Sequence, residues 1–419
     1  MKGTDASGDP AGPVAAAERR PAVRERGLRV RAGECTHKLR TGDVGSVPVV
    51  VVLIMIWTAF QLLDHHFLSP RNLSNLSVDI VGTGLIAVGI VFVLLLGEVD
   101  LSVGSVSGLA AAVFAVLNVN NGTPEWLAIV AAVLTGTVIG VVQGFFFAKV
   151  GVPSFVVTLA GLLAWNGLML YVLGASGTIN LRDTGLIPAL TIEYFHNPAA
   201  TYGLAALGAT AYFFASHRDA RRRRAAGVPY RPLGSTAVRT AGIAVIAFAA
   251  AFVLSRFQGL PLALLLFLAF VVCLDVVLRR TSYGRKIFSI GGGVEAARRA
   301  GINVVWMRIS AFAASATLAA IGGLFLASRV ASVGQTSGSS NLLINAIAAA
   351  VIGGASLFGG RGSPWSAVLG ILVIQSIASG MVLMGIETAV QYMITGGVLL
   401  GAVVLDSLSR QSQKAHGRA

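Results

Sequence analysis

Gly97-Glu98-Val99-Asp100-Leu101-Ser102-Val103-Gly104 places two carboxylates between two long apolar runs, 76–97 and 101–119. An aspartate in mid-bilayer costs about 2.5 to 3.5 kcal/mol, so Glu98 and Asp100 must face protein, water or headgroups. Gly97 can end one helix. Asp100 can cap the next by accepting from its free backbone N–H groups, where the positive helix end favours the charge. The stretch reads as a break between two helices. Two uses stay open for it: an ordinary capped turn, or a functional site if the carboxylates lie at depth.

Outward from this junction, further apolar segments recur at 47–63, 126–148, 153–174, 199–215, 240–254, 260–278, 309–327, 342–358, 366–384 and 388–405, twelve with the first two. A crossing takes roughly 20 apolar residues, and 240–254 and 342–358 are short, so ten to twelve spans are expected, twelve favoured. With 55% of 419 residues hydrophobic and only 12% charged, a soluble globular fold, where about a quarter is charged, is excluded. The predicted class is all-α, a polytopic transmembrane helix bundle over 47–406. A tail over 1–46 holds nine basic and six acidic residues and no apolar run; it reads as disordered and cytoplasmic, without the pattern of a cleavable signal peptide. A short polar tail covers 407–419. Cys35 and Cys273 lie in settings that do not invite a disulfide.

Charge sets the direction of the spans. Threading twelve segments from an inside start puts 28 of the 32 Lys and Arg inside and only Arg71, Arg182, Arg256 and Arg329 outside. That is the positive-inside bias. The net charge of +14 then reflects orientation and attraction to anionic membrane lipid rather than nucleic acid. The run of four arginines at 221–224 has neither interleaved aromatics nor a basic fold motif, and reads as a solvated cytoplasmic loop within 216–239.

No GxxxxGK[ST] loop occurs: 354–359 is followed by Gly360 and Arg361, without the Lys and Ser or Thr that hold phosphate and magnesium. HExxH, paired CxxC and GxSxG are absent as well, so the expectation is a chain that is not an enzyme, with no ATPase site of its own and no metal site. His65 and His66 beside Asp64 are sequence neighbours at an interface and do not share a helix face.

Two further features stand out. Residues 352–364 form a second glycine-rich junction with Gly353, Gly354, Gly359 and Gly360. Like the pair Gly97 and Gly104, it follows an inward-running span and precedes an outward one, a hint of internal duplication. In the polar stretch 279–308, residues 294–300 read as a short helix carrying Glu295, Ala296, Arg298 and Arg299 and ended by Gly301. It either docks in a groove of a soluble partner or simply connects two spans. Polar residues inside spans are mostly uncharged, namely Gln143, Asn166, Asn345, Gln375 and Gln391. They suit a neutral hydroxyl-rich solute or hydrogen bonds between helices.

These residues resemble the permease subunits of monosaccharide ATP-binding-cassette (ABC) importers, the ribose and xylose group, and most of all the xylose-type branch. The stretches that match are 98–105, 152–161, Gly284-Arg285, Gly291-Gly292, 295–298, 301–304 and 348–360, and the likeness runs from about Leu68 to Asp406. The resemblance implies a type II-like ABC importer permease architecture, a permease homodimer around one central path, two cytoplasmic ABC ATPase subunits and an extracytoplasmic sugar-binding protein. ATP and Mg would be used by the partner subunits, with no cofactor bound by this chain. It implies that Glu295, Ala296, Arg298, Arg299 and Gly301 couple to the ATPase. Glu98, Asp100, Ser102, Asn166 and Asn345 are the expected pathway or gate residues. The location implied is the bacterial cytoplasmic membrane, with both termini cytoplasmic. Departures are Ala164-Trp165-Asn166-Gly167 where relatives often have Phe-Arg-Gly, Gly293 in place of Asn, and Asn345 in place of an acidic residue. The alternatives are an ion-coupled secondary transporter using Glu98 and Asp100, or an ABC permease for another solute such as a branched-chain amino acid or nucleoside.

Overall fold

The computed structural model describes residues 47–415 apart from Pro229 and Arg231. The expected disordered tail over 1–46 lies outside these residues, as do 416–419. Each of the twelve apolar segments is found within or around one helix. These are α1 (Val47–Leu63), α2 (Pro70–Leu95), α3 (Val103–Ala115), α4 (Glu125–Phe145), α5 (Ser154–Leu173), α7 (Pro198–Ala225), α8 (Leu233–Ser255), α9 (Leu262–Arg280), α12 (Val304–Val330), α13 (Ser340–Ile352), α14 (Pro364–Leu383) and α15 (Thr388–Ala415). Three shorter helices intervene, α6 (Leu186–Ile192), α10 (Ser282–Gly292) and α11 (Val294–Arg299). Among the described residues, eight helices are long and apolar enough to cross a membrane. The chain is a polytopic helical bundle.

Helix ends follow local chemistry. Ser69 and Ser363 each cap a helix that has Pro at its first position, through hydroxyls that accept from Asn72 N and Ser366 N. Asn303 caps α12 by accepting from Trp306 N at 3.0 Å. Two expected loops turn out largely helical. The arginines at 221–224 form the last turn of α7, where cations face the negative helix end, and the stretch 279–308 is mostly α10 and α11. The tail expected from 407 begins as a continuation of α15 to Ala415.

From Ile80 to Leu95 helix α2 has Thr83 as its one polar side chain and is wholly buried, as expected for the axis of a bundle. Helix α12 runs antiparallel to it and to α4. Lipid is as apolar as leucine, so helices associate through close packing rather than through escape from water. Here glycine supplies the closeness. Gly136, Gly140 and Gly144 repeat every four residues on α4; a Cβ on Gly136 would meet Ala316 O at 2.6 Å, and one on Gly140 the Ala313 Cα at 2.7 Å. A Cβ on Gly144 would meet Ile309 Cα at 2.7 Å. Thr137 and Thr317 share a hydroxyl hydrogen bond of 2.8 Å across the same seam. On the α2 side, Gly82 faces Leu326 and Gly89 faces Ser315.

The two ends of the bundle differ. At one, Asp79 pairs with Arg329 at 2.7 Å, Glu125 accepts from Leu186 N and Ile187 N at the start of α6, and two short antiparallel ladders close the loops. In these ladders β1 (Thr178–Asn180) pairs with β4 (Ser332–Gly334), and β2 (Tyr194–Phe195) with β3 (Leu260–Pro261). The other end carries both glycine junctions, α10 and α11. At the turn after α1, the His66 backbone N–H and imidazole both bond to Asp64, holding that carboxyl below the usual carboxylate range.

Candidate functional site

Gly97 terminates α2 with φ +80°, a left-handed conformation that suits a residue without Cβ. The chain then folds back so that its main chain touches two other segments. Gly360 N donates to Leu95 O at 3.0 Å. A Cβ on Gly359 would lie 3.0 Å from both Gly291 O and Gly97 N, and one on Gly291 would stand inside the Leu95 carbonyl. The break after α2, the glycine-rich link between α13 and α14, and the C-terminal turn of α10 thus meet main chain to main chain. Only glycine permits such an approach.

Helix α11 follows directly from this contact. Ala297 is buried and anchors it, while Glu295, Ala296, Arg298 and Arg299 are exposed, with Arg298 paired to Glu295 at 3.0 Å. Gly301, at φ +79°, turns the chain into α12. The Tyr283 hydroxyl on α10 meets Ser310 on α12 at 3.1 Å; burial pushes the phenol up, against that hydrogen bond.

The two carboxylates part company. Glu98 points to this end of the bundle, where it accepts from Ser154 Oγ at 2.6 Å and from Arg308 Nη2 at 3.4 Å. Arg308 also lies over the Phe147 ring, 4.5 Å from its centroid. Glu98 therefore joins the starts of α5 and α12 beside α11. Asp100 is fully buried. Rather than capping α3 through the second or third N–H, it accepts from Ser102 N at 2.9 Å and from Ser102 Oγ at 2.7 Å, and Ser102 occupies the cap position without a side-chain bond to the N–H groups of the helix.

A polar chain continues from Ser102 into the bundle. Ser102 Oγ lies 3.0 Å from Gln143 Oε1, while Gln143 Nε2 and Trp165 Nε1, both near the bare face of Gly161, have no acceptor. One hydroxyl has one proton. Given to the carboxylate, it leaves the serine oxygen to accept, so the amide is assigned with its NH2 toward Ser102, which turns its carbonyl to the side by Gly161 where the indole N–H of Trp165 lies. The donors then run in one direction, from Gln143 to Ser102 to Asp100. Asp100 Oδ2 and Ser315 Oγ remain as buried polar atoms without a hydrogen-bond partner.

Other expected site residues lie elsewhere. Asn166 is on the exposed face of α5 and Asn345 is half-buried on α13. A Cβ on Gly104 would stand 3.1 Å from Gly338 O, Gly353 lies against Ser366 O, and a Cβ on Gly354 would meet nothing within 4 Å. Sequence reading missed Ser154 and Arg308 as partners of Glu98. The four-residue glycine repeat on α4 was a legible signal for its contact with α12; the partner of Glu98, 210 residues away, left none.

The family model described as branched-chain amino acid transport system / permease component matches residues 72–403. The chain belongs to this family. It is 38% identical over 366 residues to the xylose transport system permease protein XylH of Escherichia coli (strain K12), covering 87% of this chain and 90% of that one. Identity to XylH of Haemophilus influenzae is 35% over 378 residues, covering 89% and 99%. Identity to the ribose import permease protein RbsC of Bacillus subtilis (strain 168) is 31% over 355 residues, covering 84% and 90%. No solved structure matches.

Proposed function

We propose that this chain is the membrane-spanning subunit of an ABC importer that moves a monosaccharide, a xylose-like pentose or a related sugar, across the bacterial cytoplasmic membrane. The observation that carries the reading is the 38% identity to a xylose permease across 87% of the chain. In this reading two copies form the path, two ABC ATPase subunits supply ATP and magnesium chemistry that this chain has no site for, and an extracytoplasmic protein delivers the sugar. The end bearing α10 and α11 faces the cytoplasm with both termini and the tails at 1–46 and 407–419, a placement supported by the positive-inside sorting of the basic residues.

The geometry supports a route for coupling. ATP binding draws the ATPases together, and the exposed face of α11, Glu295 with Ala296, Arg298 and Arg299, moves with them. Because Gly291, Leu95 and Gly360 touch through main chain, displacement of α10 and α11 is passed to α2 and to the α13–α14 link without a yielding side chain between. The Glu98–Arg308 pair carries the same motion to α5 and α12. Neutral polar residues on the spans supply weak polar contacts, so solute leaves readily and selectivity rests chiefly with the binding protein.

The test is uptake in cells that lack other pentose routes, with a panel of pentoses, hexoses and branched-chain amino acids as competitors. Pentose-selective uptake should survive collapse of ion gradients while ATP is held, an ATPase subunit should copurify, and Glu295→Ala with Arg298→Ala should abolish uptake without lowering thermal stability. Uphill accumulation by vesicles holding only this chain, with nucleotide excluded, would overturn the reading.

A further inference from the structure

At the end that carries α10 and α11, the last turns of α7 and α9 and the first turns of α8 enclose a groove of about 500 Å³. Arg223, Arg239 and Arg279 line it together with Tyr212 and Tyr230. Arg223 is bonded to Asp219 at 3.2 Å and Arg279 to Asp275 at 2.7 Å. A guanidinium has five N–H donors, so each keeps donors beyond that bond. Arg224 lies against the Tyr230 ring, 5.8 Å from its centroid. With Arg224 and Arg239 counted, cations outnumber the two carboxylates there. The run at 221–224 has no aromatic residue of its own, but the fold brings it one from upstream and one from downstream.

The groove opens where the flank of the bundle changes character. Above it, α7 and α8 turn Phe214, Val238, Val245 and Ile246 outward, a surface fit for acyl chains. Guanidinium forks match phosphate oxygens in pairs, tyrosine hydroxyls favour the membrane interface, and basic pockets between membrane helices on the cytoplasmic side suit lipid headgroups.

The geometry points to a binding site for the phosphate headgroup of an anionic phospholipid between α7, α8 and α9, with the acyl chains lying along the outer face of α7 and α8. The inference holds whatever solute the chain moves.

The test titrates the purified full-length protein in neutral detergent with dioctanoyl phosphatidylglycerol, dioctanoyl phosphatidylcholine and inorganic phosphate, reading thermal stability. Phosphatidylglycerol should stabilise saturably and the other two should not. R223Q/R239Q/R279Q should weaken the phosphatidylglycerol response about tenfold or more. The control R221Q/R222Q/R280Q, which removes equal charge outside the groove, should change it by about threefold at most. R239Q alone, at an exposed side chain that pairs with no carboxylate among the described residues, should weaken binding in the same direction and serves if the triple variant does not fold. Equal losses in the groove and control variants would reduce the site to diffuse attraction, an equal response to inorganic phosphate would make it a free-anion site, and an equal response to phosphatidylcholine would remove the headgroup's role. Each of these overturns the proposal.

Discussion

Helices α4 and α12 on one hand, and α7 and α8 on the other, are both apolar pairs rich in glycine, yet their glycines do opposite work. In the first pair Gly136, Gly140 and Gly144 let backbone meet backbone. In the second, Gly203, Gly208, Gly234 and Gly242 have nothing within 4 Å of where a Cβ would stand. Hydropathy alone does not explain the difference, since α8 is as apolar as α4 and α12; what the bare α-carbon touches does. The first pair belongs to a rigid centre that includes α2, whereas the second is attached at its flank and turns most of its surface outward.

The comparison breaks most easily through these glycines. Gly140→Val forces a side chain into Phe312 O and the Ala313 backbone and should cost about 3 kcal/mol or more, while Gly208→Val should stay within about 0.5 kcal/mol. Thermal unfolding of the two variants in one detergent decides it, and equal losses would mean that the helix pairs are alike after all.

A smaller effect is expected where the centre meets its moving end. Arg308→Gln leaves Glu98 with Ser154 alone and should cost about 1 kcal/mol, since both side chains are about one-fifth exposed and surface screening limits the pair. The variant Glu98→Gln with Arg308→Gln should lose no more than the worse single change; strict additivity would show that the two residues do not interact. Smaller still, Trp165→Phe removes one indole donor and keeps the ring, with an expected loss of about 0.5 to 1 kcal/mol by thermal unfolding. A gain in stability there would contradict the orientation assigned to the Gln143 amide.

Much of this was legible in the amino-acid order because membrane spans are written locally, as runs of about 20 apolar residues. The break at Gly97 and the short helix holding Glu295 and Arg298 were visible for the same reason: glycine, charge and helix capping act over a few residues. The separation of Glu98 from Asp100 was not, because two carboxylates two positions apart look alike until Ser154 and Arg308 arrive at Glu98 from distant helices and Gln143 arrives at Ser102, the local partner of Asp100. The aromatic neighbours of the arginine run were hidden likewise, since Tyr212 and Tyr230 lie on either side of it and only the turn after α7 brings them together.

The contact between Gly291, Leu95 and Gly360 is made of peptide groups, so its strength does not depend on which side chains surround it. Under the proposed coupling the segment from 282 to 301 is therefore an interchangeable part: grafted into a cousin that answers to a different motor, it should bring its docking preference along, provided the bare positions beneath it are kept.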